Sequence, residues 1–417
     1  MAIKTERSVK QIPFSPPFID QSIIREVMDT LNSGWITSGP KVQLLELLMK
    51  EYTHLPKCVC VNSWSSGAQL VLKWWGVKPG DEVIIPAYTY AATALVVLRA
   101  GALPVMVDVN EQMVMDTTKL KKAITSRTKA IIPVDFAGWP CDYNAIRMIM
   151  EDEAVRSLFE KENQFQQQLG RPIIIADAAH SLGAMYQKKP AGLYADIAIY
   201  SLHAVKNITT AEGGVIGLNL PTPFDNSELY YWMKLNSLNG QTKDSFTKTK
   251  EAEWRYDIVD EGLKINLPDL CAAIGVAQLR QYGAHLLPER KRVAQRYLHA
   301  FQKYDWALLP PLETDEKESS YHLFPLCIKG ISENQRDQMI RTIRNNGISV
   351  NVHFIPLPML TLFREKGYLI EEFPISYSQY SREISLPIYP QLTNDQIDRV
   401  ISTVVLSFNE LVHDKIL

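Results

Sequence analysis

Cysteine is scarce in this 417-residue chain: five residues, Cys58, Cys60, Cys141, Cys271 and Cys327, an odd number at scattered spacings. That set excludes a disulfide framework. The single residue between Cys58 and Cys60 is not the spacing of a zinc knuckle or a redox pair, and no metal site is expected. Long apolar runs are missing too; none approaches the ~18 residues of a membrane span. Neither sign of charge is in excess, with 44 Lys plus Arg against 46 Asp plus Glu and a net charge of -2. A nucleic-acid binder would carry a basic excess or stripe, so a partner held by bulk charge is excluded. An anionic small molecule held by local geometry is not. The opening MAIKTERSVKQIPF has no apolar core of a signal peptide, and the expectation is a soluble cytoplasmic protein. Internal repeats and Gly/Ser-rich linkers are absent as well.

Hydrophobic residues make up 46% and charged residues 22% of the chain, ordinary globular usage. The length suits two or three domains at roughly 150 residues each. From residue 20 onward, helical and strand patterns alternate. Segments 20–32 and 41–53 have helical spacing, the second after Gly39-Pro40, a helix start. CVCV at 58–61 reads as a strand with buried thiols, and a helix follows from about Ser65 to Trp75. Short apolar runs at KPGDEVIIP, 102–109, 129–136 and 171–178 complete a βαβ pattern, hence a largely parallel sheet with its ligand at the carboxyl ends of the strands. Residues 148–170 read as an extended polar surface helix. Beyond about residue 280 the pattern shifts to a smaller α+β unit, which gives a large domain at 13–280 and a small one at 281–417.

Several side chains fall where those strands end. Lys206 follows the apolar segment ADIAIYSLHAV; a lysine there is either a surface cation or an amine that can condense with a carbonyl. Asp177 closes RPIIIAD, either as a helix cap or as the carboxylate facing a pyridine nitrogen. Ser65, Ser66 and Gly67 open a helix, where backbone N–H groups serve equally for capping and for holding a phosphate. Tyr90 lies just past Pro86 and suits either core packing or stacking on a flat ring. His180 and Ser201 stand beside Asp177 and Lys206 as polar residues at strand ends.

Together the segments GWITSGP, NSWSSGAQ, GDEVIIPAYTYAAT, AIIPVDFAGWPCD, IADAAHSLGA, SLHAVKNITTAEGG, GLKINLPDLCAAIGVAQL, NVHFIPL and SLPIYPQLT resemble the sugar aminotransferases. These are fold-type I enzymes that use pyridoxal 5'-phosphate and act on nucleotide-linked keto sugars. The resemblance runs from about Pro13 to the last forty residues. It implies an α/β fold, with a large, mostly parallel sheet flanked by helices and a smaller C-terminal α+β domain. It also implies roles. Lys206 forms the Schiff base and carries the proton; Asp177 pairs with the ring nitrogen; His180 sits near the ring hydroxyl. Tyr90 stacks on the ring, and Ser65, Ser66 and Ser201 hold the phosphate. Lys264, in GLKINLPD, reaches a neighbour's cofactor across a homodimer interface.

The implied reaction moves an amino group from an amino acid, glutamate, to a nucleotide-linked keto sugar, for polysaccharide or glycoside synthesis. Lys264 with Asn266, and the run HAVKNITTAEGG, resemble the branch that aminates C4, as in 4-amino-arabinose enzymes. A C3-keto sugar and an aminocyclitol ketone stay open as substrates. A non-catalytic cofactor-sensing regulator is a third reading; it would carry a helix-turn-helix domain, and none is expected before Pro13. Three departures from the family pattern stand out: Trp64 replaces a common Gly, Asp135 replaces a common His, and 148–170 is long.

Overall fold

The computed structural model describes residues 10–243 and 254–413. Its main sheet has seven strands: β1 (Lys57–Val61), β2 (Glu82–Pro86), β3 (Leu103–Val107), β4 (Thr128–Ile131), β5 (Ile173–Asp177), β8 (Ile197–Ser201) and β9 (Gly214–Leu218). Between β5 and β8 the short strands β6 (Met185–Tyr186) and β7 (Lys189–Pro190) pair as a hairpin. The main sheet's order is β1-β9-β8-β5-β4-β2-β3. Neighbours from β3 to β8 pair in parallel; β9 runs against both of its neighbours.

The strand sequences explain this arrangement. A parallel sheet is covered on both faces, so its strands are apolar throughout rather than alternating. Ile173, Ile175, Ile197 and Ile199 feed one buried cluster, while Ile174, Ala176, Ala198 and Tyr200 feed another on the opposite side. The CVCV run divides in the same way, Cys58 and Cys60 to one core and Val59 and Val61 to the other. All five cysteines are free, and four are buried.

Caps set the helices that begin near the strand ends. Helix Trp64–Trp75 is capped by Ser63, whose Oγ accepts from the Ser66 N–H, so the helix begins one residue earlier than its sequence suggests. Helix Pro40–Thr53 has glycine at its cap position, and the buried carboxylate of Asp269 takes over. It accepts from the N–H groups of Gly39, Lys41 and Val42 at 2.8–3.0 Å. A cap 230 residues away in sequence leaves no local signal.

Residues 148–170 do not form the single long helix expected of them. They break into the end of Tyr143–Glu151, then Glu153–Leu158 and Gln164–Leu169. Asp152 and Asn163 each cap a new short helix with a side-chain oxygen, and Gly170 stops the last one with φ 71°. Polar residues that look helical by spacing are here the ones that interrupt the helix.

A third core gathers residues between Val293 and Leu411. It backs the sheet β10-β12-β13, made of β10 (Ala307–Leu308), β12 (Phe324–Ile328) and β13 (Glu383–Leu386). β11 (Lys317–Glu318) instead extends the β6–β7 hairpin. Ile12, from the other end of the chain, joins this third core and bridges to Ile348. Among the described residues no helix is long and apolar enough to cross a membrane.

Candidate active site

The loops at the carboxyl ends of β1, β2, β4, β5 and β8 surround a cavity of about 480 Å³. That volume suits a small-molecule ligand, and its place follows the rule for open α/β sheets. Segments outside the sheet complete the wall: Phe14 and Ser15, His322 and Leu323, His353 and Phe354. Of the eight site residues expected from the sequence, Ser65, Tyr90, Asp177, His180, Ser201 and Lys206 line this one cavity.

Asp177 is the last residue of β5 and only 5% exposed. Its Oδ2 accepts from the Thr93 hydroxyl at 2.9 Å and its Oδ1 from the Ala179 N–H at 3.2 Å. No helix begins at Ala178, so the capping alternative is not realised. Burial pushes its pKa up to about 6, against the hydrogen bonds from Thr93 and Ala179 and the nearby Lys206 charge. It is ionised at neutral pH, and a cation placed beside it would deepen that state.

Lys206 sits in the turn between β8 and β9, half-buried. Burial brings its pKa down to about 8, opposed by the Asp177 carboxylate. A lysine lowered that far carries a useful fraction of free amine near neutrality, the condition for attack on a carbonyl.

His180 is buried, and burial together with the Lys206 charge holds its pKa well below the ordinary value. Its Nδ1 accepts from the Ala137 N–H at 3.2 Å, which leaves the proton on Nε2. Tyr90 is 64% exposed, its ring 5.8 Å from that of Phe354; a tyrosine packed into the core is therefore not what the chain forms here.

At the helix-start end of the cavity, Ser65 lies in the first turn of helix Trp64–Trp75 and faces the cavity with Ser63 and Trp64. Ser66 does not line it: its N–H is spent on the Ser63 Oγ, and its hydroxyl pairs with that oxygen at 2.9 Å. Trp64 is 6% exposed and keeps a buried indole N–H without a hydrogen-bond partner. The turn can pass this close to β9 because position 214 is glycine; a Cβ there would lie 2.6 Å from the Ser63 carbonyl carbon. Lys264 is exposed, bonds Asn266 within its own chain at 2.7 Å, and does not reach the cavity.

Asp135, one of the departures from the family pattern, is fully buried and satisfied by the Cys141 N–H, the Tyr143 hydroxyl and the Ser181 hydroxyl. It ties the loop after β4 to the loop after β5. Sequence reasoning missed Thr93, Asn207 and His322. Thr93 sits one helical turn beyond Thr89, and the two hydroxyls are 3.1 Å apart. His322 is a polar residue just ahead of the apolar β12, and that position is the one signal it offers. Among the described residues no group of His, Cys, Asp and Glu could hold a metal ion.

Pyridoxal 5'-phosphate fits these residues. An amine of lowered pKa, an ionised carboxylate and a donor imidazole line one cavity, and an open helix start with an unpaired indole N–H lies at its edge.

Comparison with known proteins agrees with the geometry. Residues 17–405 match the family described as DegT/DnrJ/EryC1/StrS aminotransferases. Spore coat polysaccharide biosynthesis protein SpsC of Bacillus subtilis is 33% identical over 401 residues, covering 94% of this chain and 96% of that one. An uncharacterized protein of Methanocaldococcus jannaschii is 36% identical over 399 residues, 94% of this chain and 97% of its own. Among solved structures, a Streptococcus pneumoniae protein described as a sugar aminotransferase, Spr1654, superposes in its PMP form with a TM-score of 0.92. The two are 39% identical, and the match covers 98% of this chain and all of that one. Helicobacter pylori PseC, an aminotransferase of pseudoaminic acid biosynthesis, gives a TM-score of 0.83 at 26% identity, covering 96% and 100% of the two chains. With its fold, its cavity and nearly its whole length in agreement, the chain belongs to the DegT/DnrJ/EryC1/StrS aminotransferase family.

Proposed function

We propose that the protein uses pyridoxal 5'-phosphate to move an amino group from L-glutamate to C4 of a nucleotide-linked keto sugar. The product would serve polysaccharide or glycoside synthesis in the cytoplasm. The observation that carries this reading is the facing of one cavity by Lys206 and Asp177, a lowered amine and an ionised carboxylate. The bound cofactor supplies an aldehyde that condenses with amines and a ring that accepts electrons from the carbon beside the nitrogen.

The chain's own groups divide the remaining work. Lys206 Nζ would hold the aldehyde and would be the group placed to carry the proton; such positioned transfer contributes about 10²- to 10⁴-fold. Asp177 would keep a proton on the ring nitrogen, and Thr93 keeps Asp177 in place. His180 would offer its Nε2 proton to the ring hydroxyl, and Tyr90 would cover the ring. The start of helix Trp64–Trp75, with Ser65 and Ser201, would receive the phosphate, whereas Ser66, engaged with Ser63, would not.

Lys264 would come to that phosphate from a second copy of the chain. Its exposure and its distance from its own cavity support that reading. So do the exposed apolar side chains of Ile24, Met28 and Leu31 on helix Gln21–Asn32, the kind of surface a homodimer covers.

Capture of the cofactor follows the amine. In apoprotein mixed with pyridoxal 5'-phosphate, the rate of appearance of the visible band is expected to fall as pH drops below about 8 and to level off above it. The slope below that point is about tenfold per pH unit, as for any single deprotonation. Stopped-flow absorbance measures it; a rate flat between pH 6 and 9 contradicts the assignment of Lys206.

The function itself is tested with purified protein, L-glutamate and a panel of nucleotide-linked 4-keto and 3-keto sugars and cyclitol ketones, scored by 2-oxoglutarate and amino product. Transfer to 4-keto sugars is expected at a kcat/KM at least about tenfold above the others. A preference for 3-keto sugars or cyclitols overturns the C4 assignment. No transfer to any of them overturns the sugar assignment.

A further inference from the structure

Two buried imidazoles, His180 and His322, lie against each other in the cavity wall with ring centroids 4.3 Å apart. The hydrogen bonds around them have fixed directions, because they end on backbone groups that can only donate or only accept. The Ala137 N–H donates to His180 Nδ1. On the other side, the Tyr282 hydroxyl donates to the Leu182 carbonyl at 2.6 Å and so accepts from Asn207 Nδ2 at 2.9 Å. Asn207 Nδ2 also donates to the Ser320 carbonyl at 2.8 Å, which fixes the orientation of the amide. Asn207 Oδ1 must then accept, and it lies 2.8 Å from His322 Nδ1. His322 therefore carries its proton on Nδ1 and His180 on Nε2. The two rings are opposite tautomers: in each, Nε2 is the nitrogen that remains for the cavity, a donor on His180 and an acceptor on His322.

The segment that carries His322 makes further contacts with the same loops. Ser320 donates its N–H to the Gly138 carbonyl at 3.0 Å and its hydroxyl to the His180 carbonyl, and the Leu323 N–H reaches Ala137. Residues 320–323 thus join the loops that follow β4, β5 and β8, and Asn207 is the immediate neighbour of Lys206.

We propose that His322 is a positioning residue: through Asn207 it fixes the turn that carries Lys206, and through its ring it fixes the plane of His180. This rests on the function proposed above for its catalytic meaning, while the tautomer assignment stands without it. His322 acts through its neighbours, so its loss should lower kcat more than it raises the KM for glutamate. His322→Phe keeps a flat ring on His180 and removes the bond to Asn207. His322→Asn keeps a side-chain N–H near the Nδ1 position and removes the ring.

The first test is ¹⁵N NMR of histidine-labelled apoprotein, assigned with His180→Gln and His322→Gln. The expected result is two neutral rings between pH 6 and 8, with the bare nitrogen at δ1 in His180 and at ε2 in His322. The same tautomer in both rings, or a charged ring in that range, overturns the assignment. The second test compares capture and turnover in the two variants, with melting temperature as the control. The expected result for His322→Phe is capture of pyridoxal 5'-phosphate by apoprotein and kcat each about tenfold slower, with KM for glutamate within about twofold and little change in melting. His322→Asn should restore capture to within about threefold of wild type. Wild-type capture in His322→Phe, or losses in both variants that follow a fall in melting temperature, overturn the positioning role. Failure of the function proposed above would look different, as a wild-type protein that develops no visible band with the cofactor.

Discussion

Lys206→Ala is expected to lose turnover by about 10⁴-fold or more, and with it the visible band of bound cofactor, since one amine provides both the attachment and the proton transfer. The protein should not lose stability in exchange. Burial lowers the Lys206 pKa from 10.5 to about 8, so the charged amine is disfavoured by folding. Between pH 8 and 10.5 the unfolded chain binds more protons at this lysine than the folded one does. The penalty in wild type is therefore full below about pH 8 and relieved as pH rises through that window. Melting of the Lys206→Ala apoprotein at pH 7 should equal or exceed that of wild-type apoprotein, with an advantage that shrinks above pH 8. A lower melting temperature together with residual turnover would show a structural lysine instead.

Asp177→Asn should lower kcat by about 10²- to 10³-fold, the usual cost of removing one preorganised electrostatic partner. The change is nearly isosteric: the amide can still meet the Thr93 hydroxyl and the Ala179 N–H, because the hydroxyl can turn from donor to acceptor. Charge, rather than shape, is what disappears. A second consequence separates this variant from a misfolded one. Asp177 is the group that raises the Lys206 pKa against burial. Its neutralisation should therefore shift the pH midpoint of cofactor capture below about 8 while capture itself persists. Turnover and midpoint both unchanged would remove Asp177 from the site.

The sequence makes the sheet legible because its strands are short, largely apolar runs, and two of them, β5 and β8, close on a polar residue, Asp177 and Ser201. In the buried strand β5, Ile173 to Ala176 carry the run and Asp177 ends it at the mouth of the cavity. The same pattern places Lys206 beyond β8. What sequence could not reveal depends on partners far along the chain. Asp269 caps a helix 230 residues away, and His322 meets Asn207 across 115 residues. Neither pairing has a local periodicity to read. The 148–170 segment failed for the opposite reason: its helical spacing is real, but Asp152 and Asn163 form caps within it, and a capping side chain outcompetes continuation of the helix. At the helix start, the run WSSG reads with Ser65 opening the helix, whereas the cap is Ser63. Gly214 leaves room for the turn at Ser63 beside β9, a long-range contact with no local signal.

Borohydride reduction of the protein loaded with pyridoxal 5'-phosphate, followed by peptide mass spectrometry, tests the central claim most directly. A single pyridoxyl mass addition is expected, on the peptide that contains Lys206. The same addition on any other lysine, or none in a protein that shows the visible band, would contradict it.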